Sequence, residues 1–351
     1  MLEGLPGTER DPGRSAYGMA VAALPVIDVG PLVDGRGDDG TVARAIDTAC
    51  REVGFFRITG HGIDPERLAE LDCLARAFFA RPDHDKSAIA MERGGPAWRG
   101  WFPLDGELTS GVADHKEGIY FGTELGLEHP AVRAGRPLHG ANLFPDDPAG
   151  LGPAVLGWME TMTRLGAVLL RSIAVGLGLD ADWFERSVTA EPIVLFRIFR
   201  YPPDTTDVPT GDWGVAEHSD YGLLTILRQD TVGGLEVRTP HGWIDAPPIA
   251  DSFVINLGDM LDRMTAGRYR STPHRVRPSV DTERLSFPFF FDPGWDAEVR
   301  PAPLAGEPPA DDAETRWDGT SLRHLSGTYG DYLWSRVSKV FPDQARGVAE
   351  R

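Results

Sequence analysis

Cysteine, lysine and long apolar runs are all scarce in this 351-residue sequence, and each shortage excludes a class of protein. The two cysteines, Cys50 and Cys73, are too few for a disulfide framework, and the first residues do not resemble a secretory signal. The longest apolar stretch, residues 154–179, is interrupted by three charged residues, which argues against a membrane span. We therefore expect a cytoplasmic protein.

An excess of positive charge is also absent. The chain carries 35 basic and 53 acidic residues, which gives a formal charge of −18. So acidic a chain is a poor partner for nucleic acid or an anionic membrane, and a small molecule is the expected partner instead. Only three of the basic residues are lysines and the other 32 are arginines. A GC-rich bacterial genome explains that preference, so we expect a bacterial protein, and the oligomeric state is left open.

Several common catalytic signatures do not occur. The sequence contains no Walker A loop, no G-x-S-x-G and no H-E-x-x-H, which are typical of phosphate-binding loops, serine hydrolases and zinc peptidases. The bulk composition is ordinary, with 41% hydrophobic and 25% charged residues. A chain of this length and composition can bury a sizeable core.

Four regions follow one another along the chain. Residues 1–20, rich in glycine, proline and charge, are predicted to be a flexible tail. Residues 21–190 form a mostly helical region, with helices predicted at 41–53, 64–80 and 153–176 and short strands at 24–29, 54–60 and 118–121. Residues 191–296 form the core discussed next. Residues 297–351 form a proline-rich loop and a helix from about Thr328 to Val340.

The core region contains short apolar runs separated by proline and glycine turns. Closely spaced short strands without intervening helices indicate a jelly roll or barrel, not a parallel sheet with crossover helices. The predicted strands are Ile193–Tyr201, Leu223–Arg228, Gly234–Arg238, Trp243–Ala246, Ser252–Leu257, His274–Arg277 and Arg284–Phe291. We therefore predict a mixed α and β fold, with a jelly-roll core flanked by helices.

A candidate metal site comprises His218, Asp220 and His274. In an extended segment, residues two apart point to the same side, so His218 and Asp220 can reach one ion. His274 lies 54 residues after Asp220, and only a folded sheet brings it near. Two histidines and one carboxylate on one side of a metal leave positions open for oxygen and a cosubstrate, which suits iron(II). Zinc accepts the same ligands, so the triad alone leaves the metal open.

Arg284 is a candidate clamp for a carboxylate. We interpret the strands that begin at His274 and Arg284 as the two arms of one hairpin, which puts His274, Arg284 and Ser286 on one side of the sheet. A planar guanidinium grips a carboxylate in two places, and the Ser286 hydroxyl adds a further bond. An arginine that points inward beside an apolar run needs a partner, because an unpaired buried charge is costly. We predict a small diacid that spans from the metal to Arg284.

The stretch from Ile193 to Ala297 resembles the isopenicillin N synthase-like branch of the iron(II)/2-oxoglutarate-dependent oxygenases. The matching segments are RYPP at 200–203, EHSDYGLLTIL at 217–227, GGLEV at 233–237, WIDAPP at 243–248, NLGDM at 256–260 and YRSTPHRV at 269–276. The N-terminal half is similar through LPVID at 24–28, GFF at 54–56, GHG at 60–62 and DHKE at 114–117. The resemblance thus covers most of the chain.

The resemblance implies a distorted double-stranded β-helix wrapped by helices. It implies that His218, Asp220 and His274 are the iron ligands, and that Arg284 and Ser286 hold the cosubstrate carboxylate. Tyr201, which matches the family's tyrosine before proline, is implied as a second contact to that carboxylate. Asn256 and Asp259 are expected to shape the sheet and its turn. Phe199 stands where many plant relatives carry an asparagine.

The resemblance implies an enzyme that uses iron(II), 2-oxoglutarate and O2 and releases succinate and CO2. It is expected to hydroxylate, desaturate or cyclise a small organic molecule in bacterial specialised metabolism. Two alternatives stay open: an oxidase of the same fold that does not consume 2-oxoglutarate, and a non-catalytic small-molecule binding module. Candidate walls of the substrate pocket are aromatic: Phe290, Trp101, Phe102 and Tyr332.

Overall fold

Two antiparallel sheets form the centre of the computed structural model, which describes residues 23–35, 40–109, 111–203, 213–277, 281–314 and 316–341. The tail predicted at 1–20 lies outside the described residues. The strands are β1 Val26–Asp28, β2 Phe55–Thr59, β3 Gly100–Phe102, β4 Leu108–Thr109, β5 Val112–Ala113, β6 Glu117–Gly122, β7 Ile193–Tyr201, β8 Val215–His218, β9 Leu224–Gln229, β10 Leu235–Thr239, β11 Gly242–Asp245, β12 Phe253–Leu257, β13 His274–Val276 and β14 Arg284–Asp292.

The larger sheet has eight strands in the order β1-β2-β12-β9-β14-β7-β6-β3, and the smaller has four in the order β11-β10-β13-β8. Strands β4 and β5 form a separate pair. Within the larger sheet only β1 and β2 run parallel. The chain therefore has the predicted double-stranded β-helix core, in which a large and a small sheet enclose one interior.

Alternate residues of the central strands β7 and β14 lie in two different environments, the interior cavity and the hydrophobic core. Along β14, the even-numbered residues from Arg284 to Asp292 line the interior cavity, whereas Leu285, Phe287, Phe289 and Phe291 are buried core. Along β7, the odd-numbered residues from Leu195 to Tyr201 line the cavity, whereas Val194, Phe196 and Ile198 belong to the core. The alternation follows from the two-residue repeat of a strand whose two faces are both covered.

Helices flank the sheets. They are α1 Gly30–Val33, α2 Thr41–Glu52, α3 Pro65–Phe79, α4 Asp83–Lys86, α5 Pro130–Arg133, α6 Leu151–Gly176, α7 Trp183–Ser187, α8 Asp259–Thr265 and α9 Tyr329–Val340, and residues of α9 line part of the cavity. The long helix α6 contacts β7, β9 and β14 as well as α2 and α3. Its Gly166 lies against the ring of Phe291, so the absence of a side chain there lets helix and sheet approach closely.

Two helix starts match their sequence signals. The Asp64 carboxylate accepts a hydrogen bond from the Glu66 backbone N–H at 2.8 Å, and Pro65 occupies the first helical position of α3. At α9, Thr328 and Asp331 form a reciprocal capping box. These local bonds explain why both helices begin within a residue of their predicted positions.

The hairpin predicted between the strands of His274 and Arg284 is wrong. Strand β13 pairs with β8 and β10 in the smaller sheet, whereas β14 pairs with β7 and β9 in the larger one. The two strands therefore belong to different sheets, and Arg284 lies opposite Tyr201. His274, Arg284 and Ser286 still line one cavity, because the inner faces of the two sheets point toward each other.

Both cysteines are free, with Cys50 buried and Cys73 exposed. Among the described residues, no helix combines the length and the apolar character that crossing a membrane requires.

Candidate active site

Three side chains converge in the gap between the sheets. His218 ends β8 and Asp220 follows two residues later, while His274 begins β13 and pairs with His218 across the antiparallel ladder. The potential ligand atoms of these residues all lie within 4.8 Å of one another. The Nε2 atoms of both histidines lie 3.9 Å from Oδ1 of Asp220. The structure thus brings together the three residues predicted as metal ligands.

Backbone carbonyls orient both imidazole rings. Nδ1 of His218 lies 2.8 Å from the Ala216 oxygen, and Nδ1 of His274 lies 3.4 Å from the Thr272 oxygen. A carbonyl oxygen only accepts hydrogen bonds, so we assign the ring proton to Nδ1 in each case. That assignment leaves the Nε2 lone pairs directed at the space beside Asp220, as metal-binding histidines require.

Two polar side chains hold the carboxylate of Asp220. The Asn256 amide donates to Oδ2 at 2.6 Å, and the Thr225 hydroxyl donates to the same oxygen. Oδ1 is left facing the two histidines. Burial raises the pKa of Asp220, but His274, His218 and the two hydrogen bonds outweigh burial and hold that pKa below its ordinary value.

The donor set fits a divalent metal ion. Burial, with a smaller contribution from His218, lowers the pKa of His274, so its ring is neutral at neutral pH. Neutral imidazoles and an ionised carboxylate are the forms that bind metals. Two imidazoles and one carboxylate, with ligand atoms within 4.8 Å of one another, match the donor set of non-haem iron(II) sites.

Arg284 is buried in the same cavity without a partner for its charge. Only 1% of the residue is exposed, and none of its three guanidinium nitrogens has a hydrogen-bond partner among the described residues. Its guanidinium carbon lies 4.6 Å from the centre of the Tyr201 ring. Burial raises the pKa of Tyr201 and Arg284 opposes that rise, so the phenol stays protonated. Ser286 lines the same cavity, so the site can receive an anion.

The cavity between the sheets has a volume of about 480 Å³. The three candidate ligands, Arg284, Ser286 and Tyr201 all line it. A space of this size suits a small cosubstrate and a small organic substrate.

The predicted aromatic walls occupy different places. Phe290 lines the cavity. Trp101 and Phe102 are not among its lining residues: the Trp101 indole donates to Glu117 at 2.8 Å, and Phe102 packs against other aromatic rings of the core. Tyr332 is also absent from the lining, and its hydroxyl donates to Asp259 at 2.8 Å. Sequence reasoning could not separate loop aromatics that face a cavity from those that complete a core.

Several polar residues at the site were not predicted as functional. Asn256 and Thr225 hold the metal-ligand carboxylate, so the expected role of Asn256 in shaping the sheet was incomplete. The cavity wall also contains Glu107, Lys116 and Arg197. For Arg197 the sequence held a usable signal: it has the same parity on its strand as Tyr201, which was predicted to face inward. For Glu107, in a loop-like stretch, no periodicity was available.

Family models match both halves of the chain. One described as "2OG-Fe(II) oxygenase superfamily" matches residues 191–293, and one described as "non-haem dioxygenase in morphine synthesis N-terminal" matches residues 24–147. Among curated proteins, a probable iron/ascorbate oxidoreductase of Dictyostelium discoideum is 43% identical over 94% of this chain and 98% of its own. A homoarginine-6-hydroxylase of Oryza sativa subsp. japonica is 34% identical over 91% of this chain and 98% of its own.

Solved structures with the same architecture include a cosubstrate complex. A full-length Neurospora crassa protein solved in complex with alpha-KG superposes with a TM-score of 0.75 at 27% identity, covering 92% of this chain and 98% of that one. A putative 2OG-Fe(II) oxygenase family protein from Caulobacter crescentus gives a TM-score of 0.73 at 26% identity, covering 90% of this chain and 99% of that one. The likeness extends over the whole fold and not only over the metal-binding strands.

Proposed function

The chain belongs to the 2OG-Fe(II) oxygenase superfamily, and from that premise we propose that His218, Asp220 and His274 hold its iron and Arg284 holds its 2-oxoglutarate. It is a non-haem iron(II) dioxygenase that uses 2-oxoglutarate and O2. When bound, iron(II) and 2-oxoglutarate together with O2 would supply the oxidising chemistry, in which O2 is the oxidant and 2-oxoglutarate is converted to succinate and CO2.

The observation that carries the assignment of Arg284 is its buried guanidinium, which has no hydrogen-bond partner in the part of the chain that the structure describes. The inside of a protein tolerates such a charge only when a counter-charge meets it. A dicarboxylate with one end at the metal-ligand triad meets that requirement with its other end. Tyr201, opposite Arg284 in the sheet, and Ser286, two residues further along β14, offer hydroxyl groups to the same carboxylate.

The remaining roles of the chain are orientation and exclusion of water. Backbone carbonyls keep both histidines in the tautomer that presents Nε2, while Asn256 and Thr225 fix the plane of the Asp220 carboxylate. The core faces of β7 and β14 and the helix α6 behind them close the cavity on the side of the larger sheet. A dry site strengthens each electrostatic contact made inside it.

We propose a small organic molecule as the substrate, to be hydroxylated, desaturated or cyclised. The relatives support the size class: the Neurospora crassa protein has also been solved with thymine, and another solved relative is a rice dioxygenase for auxin oxidation. We propose a role in bacterial specialised metabolism. The bacterial origin rests only on the arginine-rich composition, whereas the two curated relatives named above are eukaryotic.

An anaerobic titration tests the assignment of Arg284. Iron(II) followed by 2-oxoglutarate is expected to produce the weak visible metal-to-ligand absorption of a chelate. Arg284→Gln should raise the 2-oxoglutarate concentration needed for half of that signal by about tenfold or more, because a charge-assisted bidentate contact is lost. Arg228→Gln is the matched control, since Arg228 packs on Phe287 and pairs with Asp72 outside the cavity. Equal requirements in the two variants would show that Arg284 does not bind the cosubstrate.

A further inference from the structure

Arg197 is a second buried arginine in the cavity, on the same face of β7 as Tyr201. It is 7% exposed, and no hydrogen bond or ion pair joins it to another described residue. By contrast Arg200, three residues along the same strand, pairs with Glu117 at 2.7 Å and Glu283 at 2.5 Å. The proposed functions of the metal ligands and of Arg284 leave the charge of Arg197 unused.

Aromatic rings fix the plane of this guanidinium. Its central carbon lies 3.4 Å from the centre of the Tyr120 ring, which is directly across the β6–β7 ladder, and 5.4 Å from that of Phe290. Stacking uses the faces of a guanidinium and leaves its N–H edges free for hydrogen bonds in the plane. Nη1 is fully buried without a partner among the described residues. The edge is therefore preorganised to receive a planar group with two acceptors.

No described acid forms a hydrogen bond or an ion pair with Arg197. Glu107 accepts a hydrogen bond from Tyr120 and pairs with Lys116 at 3.1 Å. Asp292 accepts a hydrogen bond from the Tyr329 hydroxyl at 2.7 Å, and burial raises its pKa to about 7 although Tyr329 and Arg197 oppose that rise. A third arginine, Arg99, is also buried nearby; burial first, and then Arg197, lower its pKa to about 9. The N–H edge of Arg197 therefore has no direct partner among the described residues and is open to an anionic ligand.

The place of Arg197 relative to the metal ligands is given by the sheet. Phe290, which touches Arg197, is paired with Thr225, and Thr225 donates to Asp220. Arg284 begins β14, six residues before Phe290. The two arginines thus line one cavity from different strands, and Arg197 is linked to the metal-ligand triad through Phe290 and Thr225.

We propose that Arg197 binds a carboxylate of the substrate to be oxidised, so that the enzyme acts on small carboxylic acids. This inference rests on the proposed function, since it takes the iron and 2-oxoglutarate positions as given. The carboxylate would meet the in-plane N–H edge of Arg197 while the rings of Tyr120 and Phe290 hold that edge in position. Arg336 and Lys339, on the part of α9 that lines the cavity, add positive charge along the same space.

Matched acids and amides test the proposal on the iron(II) and 2-oxoglutarate complex under anaerobic conditions. The probes are hexanoate and hexanamide, phenylacetate and phenylacetamide, and indole-3-acetate and indole-3-acetamide, with binding measured by calorimetry. Wild type is expected to bind at least one acid about tenfold or more tightly than its amide, and Arg197→Met should remove that preference. If no acid binds in preference to its amide, including the case of no measurable binding, the proposal is overturned.

Thermal unfolding separates a ligand-binding arginine from a structural one. Arg197→Met should unfold at or above the wild-type temperature without ligand, because an unpaired buried charge is replaced by an apolar chain of similar length. Arg200→Met, which breaks two ion pairs, should unfold at a lower temperature. If both variants lower the unfolding temperature by the same amount, Arg197 has a structural role and the proposal is overturned.

The 2-oxoglutarate absorption keeps the two proposals distinguishable. Arg197→Met should need the same 2-oxoglutarate concentration as wild type to within about twofold, whereas Arg284→Gln should not. A loss in Arg197→Met as large as in Arg284→Gln would assign Arg197 to the cosubstrate and overturn the substrate role. If the wild type does not form the chelate, the proposed function itself is wrong. This outcome is detected by the visible absorption and not by calorimetry.

Discussion

One oxygen of Asp220 receives hydrogen bonds from both Asn256 and Thr225. Because those two donors come from adjacent strands of the larger sheet, they tie the orientation of a metal ligand to the pairing of β9 with β12. The other oxygen is thereby presented to the histidines, which come from the smaller sheet. At the scale of single residues, the site depends on side chains that do not touch the metal.

Replacement of Asn256 should therefore weaken iron binding without removing a ligand. Asn256→Ala is expected to raise the iron(II) dissociation constant about 10- to 100-fold, because an orienting hydrogen bond to a metal ligand is lost. Asn142→Ala is the control: it deletes another buried amide, which bonds Gly122 and Glu124 and no residue of the triad. Anaerobic iron titration measures both, and unchanged affinity in Asn256→Ala would contradict the role given to that amide.

At the scale of elements, helix α6 meets the larger sheet through a glycine. A Cβ at Gly166 would lie 2.8 Å from the ring of Phe291, which is a core residue of β14. Gly157, on the same helix, has open space around the corresponding position. The two glycines share a helix and differ in what they face, so they form a natural pair of test sites.

Substitution by alanine should act in opposite directions at these two glycines. Gly166→Ala is expected to lower the free energy of unfolding by about 1–3 kcal/mol, since the buried ring must move. Gly157→Ala should raise it by about 0.5–1 kcal/mol, because alanine favours the helix and meets nothing. Chemical denaturation of both variants is the measurement. Stabilisation by both substitutions would show that α6 and β14 can separate slightly at no cost.

The elements also show how far the sequence alone reaches. The strand Ile193–Tyr201 is found as predicted, because an apolar run of this length between turns is shorter than a typical buried helix. Parity placed Arg284, Ser286 and Phe290 toward one cavity, which the structure bears out. The partner strands of β13 and β14 were not predictable, since a short chain gap suits a hairpin and a crossover between sheets equally well. Pairing is decided by the whole sheet.

At the scale of the whole molecule, a buried ionic cluster joins the C-terminal segment to the core. Arg316 lies 3.3 Å from both Asp259 and Asp262 of α8, and Tyr332 of α9 donates to Asp259. Burial raises the pKa of Asp262 to about 7 despite its hydrogen bond from Ser271 and the nearby Arg316. The C-terminal segment is therefore held to α8 by an ionic cluster in which the protonation of Asp262 changes near neutral pH.

Stability should respond to pH through Asp262. Its pKa is raised in the folded protein, so between about pH 4 and 7 the unfolded chain loses the proton first and the free energy of unfolding falls as pH rises. Asp262→Asn lacks this dependence. Its stability relative to wild type should rise by about 2 kcal/mol from about pH 5 to about pH 8, measured by denaturation at each pH. A difference that stays constant with pH would mean that Asp262 is already ionised at pH 5.

The alternation along β7 and β14 has a consequence for how such an enzyme can diverge. Since the odd positions from Leu195 to Tyr201 face the ligand space while Val194, Phe196 and Ile198 belong to the core, a point change at 195, 197 or 199 alters what is recognised while the packing layer stays intact. The gain or loss of one amino acid within β7 would instead exchange the two faces, sending Arg197 into the hydrophobic layer. Substitutions at these positions can therefore change substrate selectivity, whereas a change in the length of a central strand would disrupt the core.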